Sequence, residues 1–140
     1  MNEEQDLTEV NISFSISGVD IDPDEISEEL GIRPSQSHCR GDVYESRSGK
    51  KLERYNSLWT FSSEGKVSKP EPNSHADYIL MNLDPLKERI SRYVDDQRAR
   101  VSIGIWWQPD GGSGGYTITG DRMIRLAQLA NEIDLYFVGG

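Results

Sequence analysis

The sequence predicts a single α+β domain with a mixed or antiparallel sheet and with helices mainly on one face of that sheet. Two patterns support this class. Runs in which apolar and polar residues alternate, typical of strands buried on one face, are interleaved with runs in which apolar residues recur every three or four positions, typical of amphipathic helices. A chain of 140 residues is long enough for one hydrophobic core. We therefore expect a disordered N-terminal tail at residues 1–9 and one domain over residues 10–140.

The first two predicted elements are a strand and a short helix. Residues 10–17 alternate Val, Ile, Phe and Ile with Asn and Ser, which predicts a strand with one buried face. Asp22 and Pro23 suit the start of a helix and Gly31 suits its end, so a helix is expected between them. Its inward residues are predicted to be Ile26 and Leu30.

The middle of the chain predicts two short strands and a broken helix. The polar segment after the first helix contains one candidate strand near residues 38–44, followed by a loop, and the apolar residues 58–61 form the next strand. After a proline-containing loop at residues 66–73, apolar residues spaced three and four apart predict a helix from Ser74 onward. Pro85 is expected to kink this helix or to start a second one. The helix positions predicted to face the core are Ile79, Leu83, Leu86, Ile90 and Tyr93.

A long strand and its return are predicted in the last third of the chain. Residues 101–107 alternate in hydrophobicity, so Trp106 is expected on the face opposite the core. A glycine-rich hairpin loop at residues 109–115 is expected to lead into a strand at residues 116–119.

The chain is predicted to finish with a helix over residues 121–131 and an apolar strand over residues 135–138. The complete order is βαββαββαβ, which predicts a ferredoxin-like βαββαβ unit extended by a βαβ-like tail. The positions expected on the buried face of the last helix are Met123, Ile124, Ala127 and Ala130.

Charge and composition exclude several classes of function. The 15 basic and 24 acidic residues give a net charge of −9 at pH 7, so the chain repels the phosphates of nucleic acid and is better suited to a basic protein partner. The N-terminal residues are acidic, and no apolar run is long enough to span a membrane. The single cysteine, Cys39, excludes an internal disulfide and is typical of a reducing compartment. We expect a cytoplasmic protein with no nucleic-acid or membrane partner.

No set of residues in the sequence has the spacing of a metal, nucleophile or phosphate site. His38, Cys39 and His75 are too few and wrongly spaced for structural zinc. Neighbouring residues of a strand point to opposite faces, so we expect a structural Cys39 beside an exposed His38. The glycines of residues 110–115 precede a predicted strand, whereas a phosphate-binding loop runs into a helix. No metal, cofactor or catalytic residue is therefore predicted.

With these segments in place, the chain resembles the bacterial domain-of-unknown-function family numbered 4279, from about Val10 to Phe137. The resemblance rests on the order and spacing of short motifs: FSISG with DIDPDEISEELGI, then RPSQSHCRGD, the Leu58-Trp59 pair, VSIGIWW before a glycine-rich turn, and the ending EIDLYF. It implies a compact bacterial domain that occupies the whole chain. It implies no reaction and no catalytic residue.

The polar motif at residues 34–42 and the tryptophans supply the candidate functional residues. The motif is either a turn held by side-chain hydrogen bonds or part of a binding cleft. Trp106 is either an interface residue on an open sheet face or part of a second buried layer. The candidate ligand- or partner-binding residues are Arg33, Ser35, His38, Arg40, Asp42, Trp59 and Trp106.

Two hypotheses of function follow from these observations. The first is a non-catalytic bacterial binding protein, for which an immunity protein that neutralises a basic toxin is one concrete version. The second is an enzyme or small-ligand sensor that uses a cleft at residues 34–42. A homo-oligomer formed by pairing of an exposed sheet edge is a further alternative.

Overall fold

The structure is a computed structural model that describes residues 7–109 and 115–138. Over these residues the chain forms seven strands and four α-helices, together with a 3-10 turn at Asp84–Leu86. The strands are β1 (Leu7–Gly18), β2 (Gln36–His38), β3 (Val43–Glu45), β4 (Lys51–Glu53), β5 (Ser57–Ser62), β6 (Arg100–Pro109) and β7 (Glu132–Phe137). The helices are α1 (Pro23–Leu30), α2 (Pro72–Leu83), α3 (Lys87–Val94) and α4 (Gly120–Ala127).

Five of these strands form one mixed sheet in the order β2-β5-β1-β6-β7. β1 lies at the centre and is antiparallel to β5 and β6, while β7 is parallel to β6. β1, α1, β2, β5, the α2–α3 pair and β6 form a ferredoxin-like βαββαβ unit, in which β5 lies between β1 and β2. Adding α4 and β7 after β6 gives the βαβ-like tail. The predicted fold class is confirmed.

The alternation of residues in β1 defines a buried and an open face of the sheet. Ile12, Phe14 and Ile16 are fully buried and point to the same side as Trp59 of β5 and Ile103 of β6. Burying an Ile or Phe side chain contributes roughly 1.5–3 kcal/mol, so this row is a large part of the core. The serines of β1 point to the opposite side of the sheet.

All four helices pack on the apolar side of the sheet. The ring of Trp59 is edge-on to Phe14, with centroids 6.1 Å apart, and its Nε1–H donates to Ser27 Oγ of α1 at 2.9 Å. None of the described helices is long and apolar enough to cross a membrane. The helix residues of the core cluster are Ile26 and Leu30 of α1, Ala76, Ile79, Leu80 and Leu83 of α2, Ile90 of α3 and Leu126 of α4.

The predicted ends of α1 and the predicted break after α2 are confirmed. Asp22 Oδ1 accepts a hydrogen bond from Asp24 N at 3.0 Å, and Gly31 ends α1 with a φ of 71°. The 3-10 turn that contains Pro85 separates α2 from α3, because a proline ring disfavours a continuous helix. α2 starts at Pro72, slightly before the predicted start, since proline fits the first helical turn.

The prediction for the segment between α1 and β5 is wrong in part. The single strand predicted near residues 38–44 is two strands, β2 and β3, separated by a turn at residues 39–42. β3 pairs with β4 in a hairpin, and β4 lies within the predicted loop. Arg54 lies over the ring of Tyr44, 3.7 Å from its centroid, and stabilises the hairpin. The hairpin buries neither face fully, so its sequence lacks the usual alternation.

The predicted strand at residues 116–119 is also wrong. This segment forms no strand, and Thr119 caps α4 instead, with Oγ1 3.5 Å from Arg122 N. The N–H of Thr119 donates to Asn73 Oδ1 of α2 at 3.2 Å, which fastens the segment to the helix layer. Its apolar side chains pack against the core, and this packing explains why the sequence pattern is strand-like.

The buried face of α4 differs from the predicted one. Ile124 is 61% exposed and Ala127 is exposed, whereas Leu126 and Leu129 are fully buried. Within α4 the stripe that faces the core is formed by Met123 and Leu126, which turns Ile124 and Ala127 towards solvent, and the helix ends at Ala127, before the predicted end at residue 131. The two predicted positions that do pack against the core are Met123 and Ala130.

Two predictions involve residues outside the described ranges. β1 begins at Leu7, so residues 7–9 belong to the sheet and not to the predicted tail, whose residues 1–6 are not described. Most of the predicted glycine-rich hairpin loop, residues 110–114, also lies outside the described residues.

Gly18, at the end of β1, is predicted to tolerate no side chain. A Cβ at this position would lie 2.3 Å from the carbonyl oxygen of Arg98, so the backbone must shift to accept it. Gly18→Ala should therefore lower the free energy of unfolding by about 2 kcal/mol, as measured by urea denaturation. Gly120→Ala is the control, because a Cβ there meets nothing within 4 Å. Equal stabilities for the two variants would contradict the predicted close approach.

Candidate interaction surface

The face of the sheet opposite the helices is lined mainly by small polar side chains. Ser13 Oγ donates to Ser62 Oγ at 3.1 Å, and Ser15 Oγ lies 3.0 Å from Thr60 Oγ1, so β1 and β5 are also joined by side chains. Because every described helix contributes to the core on the other side, this face carries no helix layer among the described residues. Its residues include Asn11, Ser13, Ser15, Thr60, Ser62, Ser102, Gly104, Trp106, Glu132, Asp134 and Tyr136.

An exposed apolar stretch lies at one edge of this sheet. Leu135, Tyr136 and Phe137 of β7 are 64%, 52% and 51% exposed, and Trp106 is the β6 neighbour of Tyr136 in the strand register. β7 is an edge strand, so it has a paired side towards β6 and an outer side with no strand among the described residues. We refer to Trp106, Leu135, Tyr136 and Phe137 as the β7 patch.

Packing against β6 fixes the positions of the aromatic rings in the β7 patch. The ring of Tyr136 lies over Gly104, where an added Cβ would be 3.3 Å from Tyr136 Cε2. On the other face, Trp107 contacts Phe137 and Tyr116, with ring centroids 5.2 Å and 4.7 Å apart. Burial raises the pKa of Tyr116 to about 12, so this phenol stays neutral. The rings of Tyr136 and Phe137 are therefore held in place by β6 before any partner binds.

The charges next to the β7 patch are partly neutralised by Arg100. Its Nε and Nη2 donate to the two carboxylate oxygens of Glu132 at 2.6 and 2.8 Å, and Nη2 lies 3.6 Å from Asp134 Oδ2. The hydrogen bond from Arg100 lowers the pKa of the Glu132 carboxyl. Two carboxylates thus share one guanidinium, which leaves this edge of the sheet with a net negative charge.

A second acidic region is formed by α1 and the turn before it. None of its five carboxylates forms an ion pair within the described part of the chain. By contrast, Arg92, Arg98, Arg100, Arg122 and Arg125 each pair with a carboxylate elsewhere. This unpaired acidic region consists of Asp20, Asp22, Asp24, Glu25 and Glu28.

The polar motif at residues 34–42 consists of β2 and the turn at residues 39–42, which side-chain and backbone hydrogen bonds hold in place. Asp42 Oδ2 accepts from Cys39 N at 2.8 Å, and Ser35 Oγ accepts from Ser62 N at 2.8 Å. Arg40 N donates to Ser57 Oγ at 2.9 Å, so its guanidinium extends from an anchored backbone into solvent. Arg33 is exposed as well. These four candidate residues are exposed, with Arg33 and Ser35 before β2 and Arg40 and Asp42 in the turn after it. The hydrogen bonds are those expected of the first alternative for the motif, and a binding role of these residues stays a prediction.

The three remaining candidate residues do not come together at one surface site. Trp59 is fully buried on the helix side, where it has no surface to offer a ligand. His38 and Trp106 share the open face, but their strands are three positions apart in the sheet, which is about 14 Å. The seven candidates therefore do not surround one cleft.

The expected burial of His38 and Cys39 is reversed. Cys39 is a free, exposed cysteine, whereas both ring nitrogens of His38 are shielded from solvent and have no hydrogen-bond partner among the described residues. Desolvation and the nearby carboxylates of Asp42, Asp22 and Asp24 raise the pKa of the Cys39 thiol. A raised thiol pKa disfavours the thiolate, so Cys39 is poorly suited to act as a nucleophile.

A buried Ser63–His75 pair is the feature that the sequence did not reveal. Ser63 Oγ lies 2.6 Å from His75 Nδ1, and His75 Nε2 donates to the carbonyl oxygen of Lys69 at 2.7 Å. Ser63 Oγ also accepts from Ile12 N at 2.9 Å. Ser63 is 0% and His75 2% exposed, so no substrate reaches the hydroxyl. The pair fastens the loop after β5 to β1.

A small cleft among the described residues is the candidate for a ligand site. A cleft of about 140 Å³ lies between the start of β1 and the loop after β5, and its lining includes Glu9, Asn11, Lys69 and His75. Ligand pockets are usually about 300–1,000 Å³. No group of three or more His, Cys, Asp or Glu side chains in residues 7–109 and 115–138 is placed to hold a metal ion.

Fold and surface together define the class of this chain: an α+β domain with a one-sided sheet and an exposed aromatic strand at its edge. The chain belongs to the family described as Domain of unknown function (DUF4279), which it matches over residues 8–137. The family predicted from the sequence motifs is thereby confirmed, while a bacterial origin stays a prediction. Comparison with curated proteins and with solved structures found no significant match.

The β7 patch was only partly recognisable from the sequence. The period of two in β6 correctly places Trp106 on the face opposite the core. The run Leu135-Tyr136-Phe137 predicts a strand but not its exposure. The signal for this exposure in the sequence is that three successive apolar residues of a strand cannot all face a core that lies on one side of the sheet.

Stability below neutral pH is predicted to depend on His75. Burial lowers the pKa of His75, so the unfolded chain binds a proton at a higher pH than the folded chain. The free energy of unfolding should therefore fall as the pH drops through the unfolded-state value of about 6.5. His75→Gln should remove most of this slope. Urea denaturation between about pH 7.5 and 5.5 measures the slope. An unchanged slope in His75→Gln would show that another group is responsible.

Proposed function

We propose that this chain is a non-catalytic bacterial binding protein that acts in the cytoplasm and recognises a basic protein. The observation that carries this proposal is the β7 patch, whose exposed residues Leu135, Tyr136 and Phe137 lie on an edge strand beside the half-buried Trp106. An immunity protein that neutralises a basic toxin is one concrete version of this function.

The composition of the β7 patch favours a protein partner. Aromatic residues are enriched at the centres of protein interfaces, because they bury a large area with little loss of side-chain freedom. Tyr136 and Phe137 are each about half exposed, so a partner can remove a substantial apolar area from water. Contiguous exposed apolar residues of this kind often mark an interaction site.

The charge of the molecule favours a basic partner. The net charge is −9, and the carboxylates of Asp20, Asp24 and Glu28 have no cationic partner among the described residues. Uncompensated charge of one sign attracts a partner of the opposite sign and accelerates its association. We expect the acidic region to steer the partner and the β7 patch to hold it.

Three features support a non-catalytic role, and a fourth supports the cytoplasm. The Ser63–His75 pair is shielded from solvent, and the raised pKa of the Cys39 thiol disfavours a thiolate. The small cleft beside His75 is polar and below the usual size of a ligand pocket. A single free cysteine suits a reducing compartment.

Affinity capture from the native lysate tests the proposed function. The tagged protein is used at moderate salt, and the proteins that it retains in stoichiometric amounts are identified by mass spectrometry. We expect a basic protein that dissociates at high salt, because attraction between exposed charges is screened. Capture of an acidic partner, or of none, would count against the proposal.

The acidic region of α1 is predicted to control the association rate. Glu25→Lys combined with Glu28→Lys should lower the association rate constant of the captured partner about tenfold at low salt and should weaken its salt dependence. Stopped-flow or biosensor kinetics measure both quantities. Glu45→Lys with Glu53→Lys is the matched control, since it changes the net charge equally but on the β3–β4 hairpin. Equal effects of the two double variants would show that only the total charge matters.

A further inference from the structure

We propose that β7 is the docking strand of this surface and that an extended, basic segment of the partner adds to its outer edge as a further strand of the sheet. This inference rests on the proposed binding function and specifies how the partner is held. Strand addition of this kind takes its affinity from backbone hydrogen bonds and its specificity from alternate side chains.

The outer edge of β7 has backbone groups available for pairing. The N–H of Val138 donates to the carbonyl oxygen of Trp107 at 3.1 Å, so the backbone of Val138 faces β6. Successive residues of a strand direct their backbone groups to opposite sides, so those of Tyr136 also face β6. The N–H and C=O groups of Leu135 and Phe137 therefore point away from the sheet, where the described residues place no strand.

The side chains of β7 specify an alternating partner sequence. On the helix side, Leu135 and Phe137 continue the row that begins with the partly buried Ile133, which is paired in register with Ile103. An added strand would place apolar side chains beside this row. Asp134 and Tyr136 lie on the open face, so side chains of the added strand on that face meet a carboxylate and an aromatic ring.

The open-face positions favour lysine or arginine in the partner. Glu132 and Asp134 share the single guanidinium of Arg100, so a further cation beside Asp134 is attracted. The same cation can lie over the exposed ring of Tyr136, next to Trp106. The partner segment is therefore expected to alternate basic and apolar residues.

Charge favours a basic partner over a second copy of this chain. A second copy would bring another net charge of −9 to the same edge, and like charges oppose association. The other edge strand of the sheet, β2, has only three residues, Gln36–His38, and offers fewer hydrogen bonds and less apolar area.

Peptide titration followed by NMR tests this proposal. The probe is a capped peptide of alternating lysine and valine. The control is a capped peptide of alternating lysine and proline, which carries the same charge but lacks half of the backbone N–H donors. We expect the first peptide to shift the amide signals of Leu135 and Phe137 and the second to bind at least about tenfold more weakly.

Matched variants locate the binding site. Leu135→Lys should weaken binding of the lysine–valine peptide by about tenfold, because it places a like charge at the docking edge. Val43→Lys introduces the same charge at an equally exposed strand position, 65% against 64%, and should change the affinity less than about twofold.

The outcomes separate this inference from the proposed function. Peptide binding with signal shifts centred on β2 or α1 would overturn the docking strand and leave a basic-partner binding protein. A dimer seen by analytical ultracentrifugation without peptide, and lost in Leu135→Lys, would overturn it in favour of a second copy. The docking strand would also be overturned if the peptide did not bind at β7 and if Leu135→Lys left the affinity for a captured basic protein unchanged. Absence of any basic partner would contradict the proposed function itself.

Discussion

One-sided burial of the central strand β1 is the constraint on which the rest of the structure depends. Ile12, Phe14 and Ile16 are fully buried on one face, while Ser13 and Ser15 hydrogen-bond to β5 on the other. The apolar face must be covered, so all four helices lie on that side and leave the serine face open. The open face and the exposed β7 edge are both consequences of this arrangement.

The elements predicted correctly from the sequence are those in which local pattern and burial agree. The apolar residues that alternate along β1 lie in the observed core. The helix signals at Asp22 and Pro85 lie where the observed helices begin or break. The β3–β4 hairpin was missed because it buries neither face fully and therefore lacks alternation. Residues 116–119 were misassigned because side chains that pack from an irregular segment show the same pattern as a strand.

The candidate site was harder to predict than the fold because exposure depends on where the helix layer ends. The orientation of Trp106 follows from the period of β6, but the exposure of Leu135 follows from the position of β7 outside that layer. Sequence also gave no information on the Ser63–His75 contact, since its geometry depends on the loop after β5. The polar composition of residues 34–42 made them a candidate binding site, yet Asp42 accepts its hydrogen bond from Cys39 N within the turn.

Strand addition at β7 requires that its outer edge is free in the isolated protein. Native-state amide hydrogen exchange, measured by NMR, tests this directly, because an amide in a strand ladder exchanges far more slowly than one that faces water. A free outer edge predicts alternation along β7: slow exchange for Asp134, Tyr136 and Val138, and fast exchange for Leu135 and Phe137. Slow exchange at Leu135 and Phe137 would contradict it, since the edge would then already be covered.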